Sequence, residues 1–311
     1  MNMAFDPASQ DRYGALPFAG IELGGTKCVC TLAHGPDAIL AQETVPTEHP
    51  SITLPAIAAI LCKWWDAGGF AALGIASFGP VDLDATSPTW GHILATTKPD
   101  WPMTDVAGPL SKGFDVPCAF DTDVNGAAFA EVLWGCAEGL DDFAYVTIGT
   151  GVGVGLLVNG KPTRGIGHAE IGHLRVPRVA GDILPSGCPF HDDCVEGLAS
   201  GTGIKAALGD VHVSTLAEDH PVWDRVEAAI TAMCHAMVCT TGPKRIAIGG
   251  GVMNKQPHLL ARIEPALRAS INGYLPLPAR DYVVAPALGD QAGPMGSIAL
   301  AQVALAERVA A

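Results

Sequence analysis

A strand–glycine turn–strand unit occurs twice in this chain of 311 residues. The first copy, Phe18–Ala33, reads FAGIELGGTKCVCTLA, and the second copy, Phe143–Val158, reads FAYVTIGTGVGVGLLV. In both copies two short β-prone runs flank a turn that depends on glycine. A single hydrophobic core stops growing near ~250–300 residues, so a chain of this length fits two domains comfortably. The duplication therefore predicts two related α/β domains that face each other across a cleft.

The composition excludes several classes of protein. Apolar residues make up 49% of the chain and charged residues 16%, which favours a large buried core over disorder. A formal charge of −14 argues against nucleic acid and anionic membrane surfaces as partners. No uncharged apolar stretch approaches the ~20 residues that cross a bilayer, and the charged segment Met1–Leu16 does not resemble a signal peptide. We therefore expect a cytoplasmic protein whose nine cysteines are reduced.

The hydrophobic pattern also predicts how the two domains divide the chain. Apolar residues recur at helical spacing over Val222–Thr240, whereas residues 165–200 form an irregular region rich in Gly, Pro, His and Cys. We predict a small domain over residues 1–120 plus the C-terminal segment 289–311. The larger domain is predicted over residues 121–288 and contains the irregular region.

Three strand ends run into glycine turns, at Glu22–Lys27, Thr147–Gly151 and Ile248–Gly251. Glycine lets backbone N–H groups approach a phosphate closely, and threonine adds a hydroxyl donor. Each turn alone is also typical of an ordinary hairpin, but three of them beside a duplicated unit favour a phosphate cradle. Two familiar nucleotide motifs are excluded, because Thr26-Lys27 reverses the Walker A order and the first two turns lead into strands instead of helices.

Four residues have the spacing of a metal site. His173, Cys188, His191 and Cys194 give the pattern His-x14-Cys-x2-His-x2-Cys in a loop-like segment. Thiolates and imidazoles at two-residue gaps suit tetrahedral zinc. On spacing alone, a chance cysteine pair with a stray histidine remains the alternative.

A series of motifs follows one another between about residues 18 and 305. In chain order they are GIELGGTK, SFGPVDLD, TTKPDWP, DTDVNGAAFAE, TIGTGVGVG, HAEIGH, CPFHDDCVEG, IAIGGGV and LGDQAGPMGSIALA. In this order they resemble the ROK family of sugar kinases, specifically its bacterial fructokinase branch, and HAEIGH followed by CPFHDDCVEG is the most specific element. The resemblance implies a two-domain, actin-like sugar-kinase ATPase fold with ribonuclease H-like halves, an active-site cleft and a zinc-binding loop.

The resemblance implies that ATP and Mg²⁺ bind at the three turns. Glu22 stands where most relatives have aspartate, and it would hold Mg²⁺ through water. Thr26 and Lys27 would bind phosphate oxygens, the second turn would cradle them from the other domain, and the third turn would face the adenosine. The implied nucleotide and magnesium residues are Glu22, Gly24, Gly25, Thr26, Lys27, Thr147, Gly149, Thr150, Gly151, Gly249, Gly250 and Gly251.

The resemblance also implies a catalytic base. The family's base is an aspartate just before a helix, and the matching segment Thr122–Asn125 makes Asp123 the group that accepts the proton of the sugar hydroxyl. The alternative is that Asp123 or Asp121 only caps the helix. Thr122 replaces the asparagine that commonly contacts the sugar in this family.

By the same resemblance the zinc is structural, and His191 stands in for a cysteine. His173 has two ring nitrogens, so it can bind zinc through one and a sugar hydroxyl through the other. His168 fits either a loop or the rim of the sugar site. The implied hexose-binding residues are Gly79, Pro80, Thr122, Asp123, Glu170, His173 and Glu196.

Together these assignments predict an ATP-dependent hexose kinase that converts D-fructose to fructose 6-phosphate. Family resemblance implies a homodimer. A kinase for glucose, mannose or an N-acetylhexosamine is the alternative within the family. A sugar-sensing repressor is a further alternative, but it requires a DNA-binding domain ahead of the first turn, and only about 20 residues precede Glu22.

Overall fold

The computed structural model describes residues 16–310 of the chain. Our expectation about Met1–Leu16 therefore concerns a segment that lies, except for its last residue, outside the described residues. The chain divides into two compact units. Unit 1 contains the chain up to Gly135, Pro162–His168 and the chain from Asp290, and unit 2 contains Cys136–Lys161 and Ala169–Gly289.

The described residues contain two five-stranded sheets and a set of helices. The strands are β1 (Phe18–Leu23), β2 (Lys27–Ala33), β3 (Ile39–Pro46), β4 (Leu73–Ser77), β5 (Cys118–Thr122), β6 (Phe143–Ile148), β7 (Val152–Val158), β8 (Lys161–Pro162), β9 (Ile246–Gly249) and β10 (Val283–Val284). The helices are α1 (Pro50–Ala67), α2 (Ala107–Ser111), α3 (Asp123–Trp134), α4 (Val195–Ala199), α5 (Gly201–Leu208), α6 (Val222–Thr240), α7 (Gly251–Lys255), α8 (His258–Ile271) and α9 (Ala292–Ala310).

The sheet of unit 1 has the strand order β3-β2-β1-β4-β5. Strands β1 to β3 pair antiparallel, while β4 and β5 run parallel to β1. The central strand β4 is buried along its whole length. Because β1, β4 and β5 are parallel, their carboxyl ends lie at one edge of the sheet. The segments that follow these three strands therefore start close together.

Helix α9 covers this sheet at very short range. A side chain on Gly74, in the middle of β4, would come within 2.0 Å of the carbonyl oxygen of Ser297. Helix α3 packs against α9 in the same way, since a side chain on Gly296 would come within 2.6 Å of the backbone nitrogen of Ala127. Our predicted boundary at residue 120 separates α3 from unit 1, whereas this contact joins α3 to α9 and places the end of the first segment of unit 1 at Gly135.

The sheet of unit 2 repeats the plan of unit 1, with the order β10-β9-β6-β7-β8. Strands β6 and β7 form the antiparallel hairpin, and β9 and β10 run parallel to β6. The relation of β6 and β7 to β9 and β10 is the relation of β1 and β2 to β4 and β5. The duplicated hairpin of the sequence therefore opens two sheets of related topology.

Helix α6 forms the centre of the core of unit 2. Its predicted span, Val222–Thr240, is confirmed. Val226, Ile230, Met233 and Met237 are fully buried at helical spacing and pack against the residues of the sheet. Within the described part of the chain, no helix combines the length and the apolar character needed to cross a membrane.

Candidate active site

Glu22 and the first glycine turn lie at the carboxyl end of β1. Glu22 is half-buried, and its carboxylate contacts the start of α9, where a side chain on Gly293 would come within 2.0 Å of Oε1. Gly25, Thr26 and Lys27 are exposed. Burial, and next the negative charge of Asp123, raise the pKa of Glu22 to about 7, while Lys27 opposes the shift. A nearby cation would therefore favour the ionised form of the Glu22 carboxyl group.

Asp123 lies at the same edge of the sheet, as the first residue of α3. The helix is capped by Thr122, whose Oγ1 accepts a hydrogen bond from the backbone N–H of Asn125 at 3.1 Å. Asp123 is therefore not the N-cap, and its Oδ1 accepts the N–H of Val124 at 2.9 Å. Burial raises the pKa of Asp123 to about 6. A carboxylate with this pKa is largely ionised at neutral pH and still a competent proton acceptor.

Asp121 holds the turn in front of Asp123, a role that the sequence did not reveal. Its Oδ1 accepts from Thr122 N at 2.7 Å and from Asn125 Nδ2 at 2.8 Å, and its Oδ2 forms an ion pair with Arg164. Asp121 is 4% exposed. A buried carboxylate needs such a partner. The four-residue spacing of Asp121 and Asn125 was a usable signal, whereas nothing in the sequence points to Arg164.

The Gly79-Pro80 segment follows β4 and lies at the same edge as Glu22 and Asp123. The Gly79-Pro80 peptide bond is cis. Val81 N donates to His168 Nε2 at 3.1 Å, and a side chain on Gly79 would approach the His168 ring within 3.2 Å. The structure thus places His168, which fitted either a loop or a sugar rim, against a predicted sugar-binding segment.

In unit 2 the second and third glycine turns lie side by side. Thr147 pairs with Gly249 across β6 and β9, so the turns that follow these parallel strands share one edge. Gly250 has a φ of 94° and begins α7, and a side chain on it would come within 2.6 Å of Thr147 Oγ1 and Ile148 N. Only glycine fits this conformation and this contact.

The second turn is held by the start of α5. Gly201 N donates to Gly149 O at 2.8 Å. Thr202 donates to Thr150 O twice, through its backbone N–H at 3.3 Å and through its hydroxyl at 2.7 Å. The carbonyl groups of Gly149 and Thr150 therefore accept hydrogen bonds from residues outside the turn.

The four predicted metal ligands come together in unit 2. Leu174 O accepts from Val195 N at 3.0 Å, and this pairing brings His173 beside Cys194. The ligand atoms of His173, Cys188, His191 and Cys194 all lie within 4.8 Å of one another.

The geometry and chemistry of this cluster fit zinc. Sγ of Cys188 is 3.7 Å from Nδ1 of His173 and of His191, and Sγ of Cys194 is 3.9 Å from His173 Nδ1. Tetrahedral zinc with ordinary bond lengths separates sulfur from nitrogen by about 3.6 Å. The thiol sulfurs also accept backbone N–H groups, from Phe190 and Gly197. Burial raises the pKa of Cys194 to about 11, so a thiolate there at neutral pH requires the charge of a cation.

His173 connects this cluster to Glu196. Its Nδ1 faces the sulfurs, while its Nε2 lies 3.9 Å from Glu196 Oε1. Glu196 Oε2 accepts from Val152 N at 3.0 Å, next to the second glycine turn. Glu170, the third predicted sugar contact in this unit, is exposed and directly precedes the 3₁₀ turn Ile171–His173.

The ROK family profile matches residues 18–304, so the chain belongs to the ROK family. It is 42% identical over 295 residues to a fructokinase of Zymomonas mobilis, covering 91% of this chain and 96% of that protein.

Two solved ROK structures share the fold. A ROK hexokinase of Thermus thermophilus has a TM-score of 0.76 at 25% identity, over 94% of this chain and all of the other. A ROK glucokinase of Streptomyces griseus, in complex with glucose and AMPPNP, has a TM-score of 0.71 at 25% identity, over 92% of this chain and 99% of the other. The predicted fold class, a two-sheet α/β sugar-kinase fold, is confirmed.

Proposed function

We propose that this protein is an ATP-dependent fructokinase, which transfers the γ-phosphoryl group of ATP to D-fructose and releases fructose 6-phosphate and ADP. The observation that carries the substrate assignment is the 42% identity to a fructokinase across nearly its full length. The Streptomyces griseus relative, solved with an ATP analogue and a hexose, supports ATP as the phosphoryl donor.

Asp123 is the catalytic base of this proposal. Its carboxylate accepts the proton of the attacking sugar hydroxyl as the oxygen bonds to phosphorus. The geometry that supports this role is the position of Thr122 as the N-cap of α3, because the Asp123 side chain does not cap the helix. Thr122 Oγ1 accepts a hydrogen bond from Asn125 N, and its O–H group can donate a hydrogen bond to a sugar hydroxyl.

Glu22 is the residue proposed to hold Mg²⁺ through water. The Glu22 carboxylate is the hard oxygen donor that this cation prefers, and because burial and the charge of Asp123 raise its pKa, a bound cation would favour its ionised form. When bound, Mg²⁺ neutralises charge on the phosphates. Glu22 itself orients the hydrated ion, and Thr26 and Lys27 donate to phosphate oxygens. The glycine turns at 149–151 and 249–251 are proposed for the phosphates and the adenosine.

The residues proposed to contact the hexose are Gly79, Pro80, Thr122, Glu170, His173 and Glu196. The zinc cluster fixes the His173 ring through Nδ1, so that Nε2 carries the proton and donates to a sugar hydroxyl. All four positions of the cluster are protein ligands, so the zinc is structural.

Two further proposals are a homodimer, which family resemblance supports, and a cytoplasmic location, which the cysteine usage supports. Light scattering on the purified protein measures the first. A dimer gives twice the chain mass of 32.0 kDa, and a monomer contradicts it.

The substrate assignment is tested by measuring ADP release with ATP and Mg²⁺ on fructose, glucose, mannose and N-acetylglucosamine. We expect the highest kcat/KM on fructose, with fructose 6-phosphate identified by NMR. A higher value on another hexose keeps the kinase and overturns the fructose assignment. Absence of turnover on all four, in protein with its full zinc content, contradicts the kinase proposal itself.

A further inference from the structure

Three consecutive carbonyl groups of the first glycine turn, those of Gly24, Gly25 and Thr26, are held by two residues outside it. Thr47 Oγ1 donates to Gly24 O at 2.7 Å, and Thr47 N donates to Thr26 O at 3.0 Å. Between them, Lys98 Nζ donates to Gly25 O at 2.7 Å. Lys98 Nζ also lies 3.3 Å from Thr47 O, so the two holding residues are bonded to each other. We call this arrangement the Thr47–Lys98 clamp.

The clamp determines where the N–H groups of the turn point. In a planar trans peptide the C=O and N–H groups point in opposite directions. Since the carbonyls of Gly24, Gly25 and Thr26 face the clamp, the N–H groups of Gly25, Thr26 and Lys27 face away from it. Successive N–H groups on one side of a turn form a concavity that binds anions.

Lys98 is held firmly in place by its own segment. Three residues on, Trp101 is 1% exposed, its Nε1 donates to Glu48 O at 2.9 Å, and its ring packs edge-on against Phe78 at 5.4 Å. The ammonium group therefore stays beside the turn without a bound ligand. It also adds a positive charge near the phosphate site of a chain whose net charge is −14.

We propose that Thr47 and Lys98 are positioning residues for nucleotide binding: they preset the first turn with its N–H groups directed at the phosphates of ATP. This inference rests on the proposed kinase function. Neither residue belongs to the phosphate turn itself. Their contribution is to remove the cost of ordering the turn when the nucleotide binds.

The test compares Thr47→Val and Lys98→Met with the wild type. The control is Lys63→Met, which removes a lysine of the same unit whose ion pair with Glu43 is exposed. Calorimetry gives the dissociation constants of ATP and of adenosine, both with Mg²⁺. We expect each clamp variant to bind ATP about tenfold more weakly, the value of one lost charge-assisted or buried hydrogen bond. Adenosine binding, the KM for fructose and the control should not change.

Lys98→Arg keeps a cationic donor at this position and should recover much of the ATP affinity. Unchanged ATP affinity in both clamp variants would overturn the proposal. An equal loss of ATP, adenosine and fructose binding, with a lower melting temperature, would also overturn it, because a purely structural role predicts that result. The calorimetric measurements with ATP and adenosine need no sugar. A wild-type protein without fructokinase activity would therefore contradict the proposed function, whereas the clamp is judged separately, by comparing the affinities for ATP and for adenosine.

Discussion

The two units share a sheet plan but hold their glycine turns in different ways. In unit 1, the carbonyls of the first turn are bound by the Thr47–Lys98 clamp, which relies on a hydroxyl and an ammonium group from distant loops. In unit 2, the carbonyls of the second turn are bound mainly by backbone N–H groups at the start of α5. We therefore expect the conformation of the first turn to depend on single side chains, whereas that of the second turn depends mainly on backbone hydrogen bonds that a substitution leaves in place.

The same contrast extends to the ionisable groups. Unit 1 carries two half-buried carboxyl groups with raised pKa values, Glu22 and Asp123. Unit 2 carries a closed cluster of two cysteines and two histidines. In the proposed function, side chains of unit 1 serve proton transfer and metal–phosphate binding, and the cluster of unit 2 is the scaffold that holds the sugar-facing His173.

The largest expected effect comes from breaking that scaffold with Cys194→Ser. The buried cluster then loses a thiolate ligand, and we expect loss of zinc, a melting temperature lower by roughly 5–10 °C, and a steep rise in the KM for fructose. Metal analysis, calorimetry and steady-state kinetics measure the three. Cys62→Ser, at an exposed cysteine of unit 1, is the control and should match the wild type. A zinc-free Cys194→Ser protein with normal kinetics would refute the scaffold role.

The next largest effect is expected for Arg164→Met in unit 1. It leaves the Asp121 carboxylate, 4% exposed, without its cationic partner. Because Arg164 is partly exposed, we expect a loss of about 1–2 kcal/mol of stability, less than for a fully buried pair. We also expect about a tenfold fall in kcat, since the turn before Asp123 loosens. Denaturant titration and steady-state kinetics measure both effects, and Lys63→Met is again the control because it removes an exposed ion pair. Equal stability and equal kcat in the two variants would count against the proposal that Asp121 holds the turn before Asp123.

Glu22→Gln is expected to change how stability depends on pH. The folded-state pKa of Glu22 is raised to about 7, above its ordinary value of 4.5, so the protonated form favours folding. Its stability contribution is complete below about pH 4.5 and is lost as pH rises through 7. Ligand-free wild type should therefore lose about 1–2 kcal/mol more between pH 4.5 and 8 than the Gln variant does. Parallel pH profiles of unfolding would contradict the assigned shift.

The smallest effect should come from Thr202→Val in unit 2. It removes the hydroxyl bond to Thr150 O and leaves the N–H bonds of Gly201 and Thr202 in place. We expect ATP affinity to fall by only about twofold to threefold. Measured beside Thr47→Val, this variant sharpens the comparison of the two turns, and a larger loss from Thr202→Val than from Thr47→Val would reverse it.

The sequence predicted what local patterns and spacings determine. The β-prone runs of the first copy, Phe18–Ala33, predicted β1 and β2, the helical spacing over Val222–Thr240 predicted α6, and all three elements are confirmed. The grouping of Cys188, His191 and Cys194 follows from ligand chemistry at two-residue gaps, and the structure brings their ligand atoms together with that of His173. Their roles in binding zinc and sugar stay predictions.

The sequence could not predict contacts between distant segments. Lys98 is 73 residues from Gly25, and Arg164 is 43 residues from Asp121, and neither carries a local signal of its partner. The placement of α3 with α9 depends on a close approach of two helices, which a periodicity analysis does not show. Contacts of this kind position the residues of the site. The chemistry of those residues was therefore easier to predict than the residues that position them.

The central claim, that Asp123 acts in the transfer step whereas Glu196 acts in sugar binding, is tested by one rapid-quench measurement. Asp123→Asn and Glu196→Gln are each loaded with ATP, Mg²⁺ and saturating fructose, and the rate of a single phosphoryl transfer is measured. We predict a rate at least 100-fold below wild type for Asp123→Asn, and a rate near wild type for Glu196→Gln, whose defect is a weaker affinity for fructose. Transfer at the wild-type rate by Asp123→Asn would contradict the account.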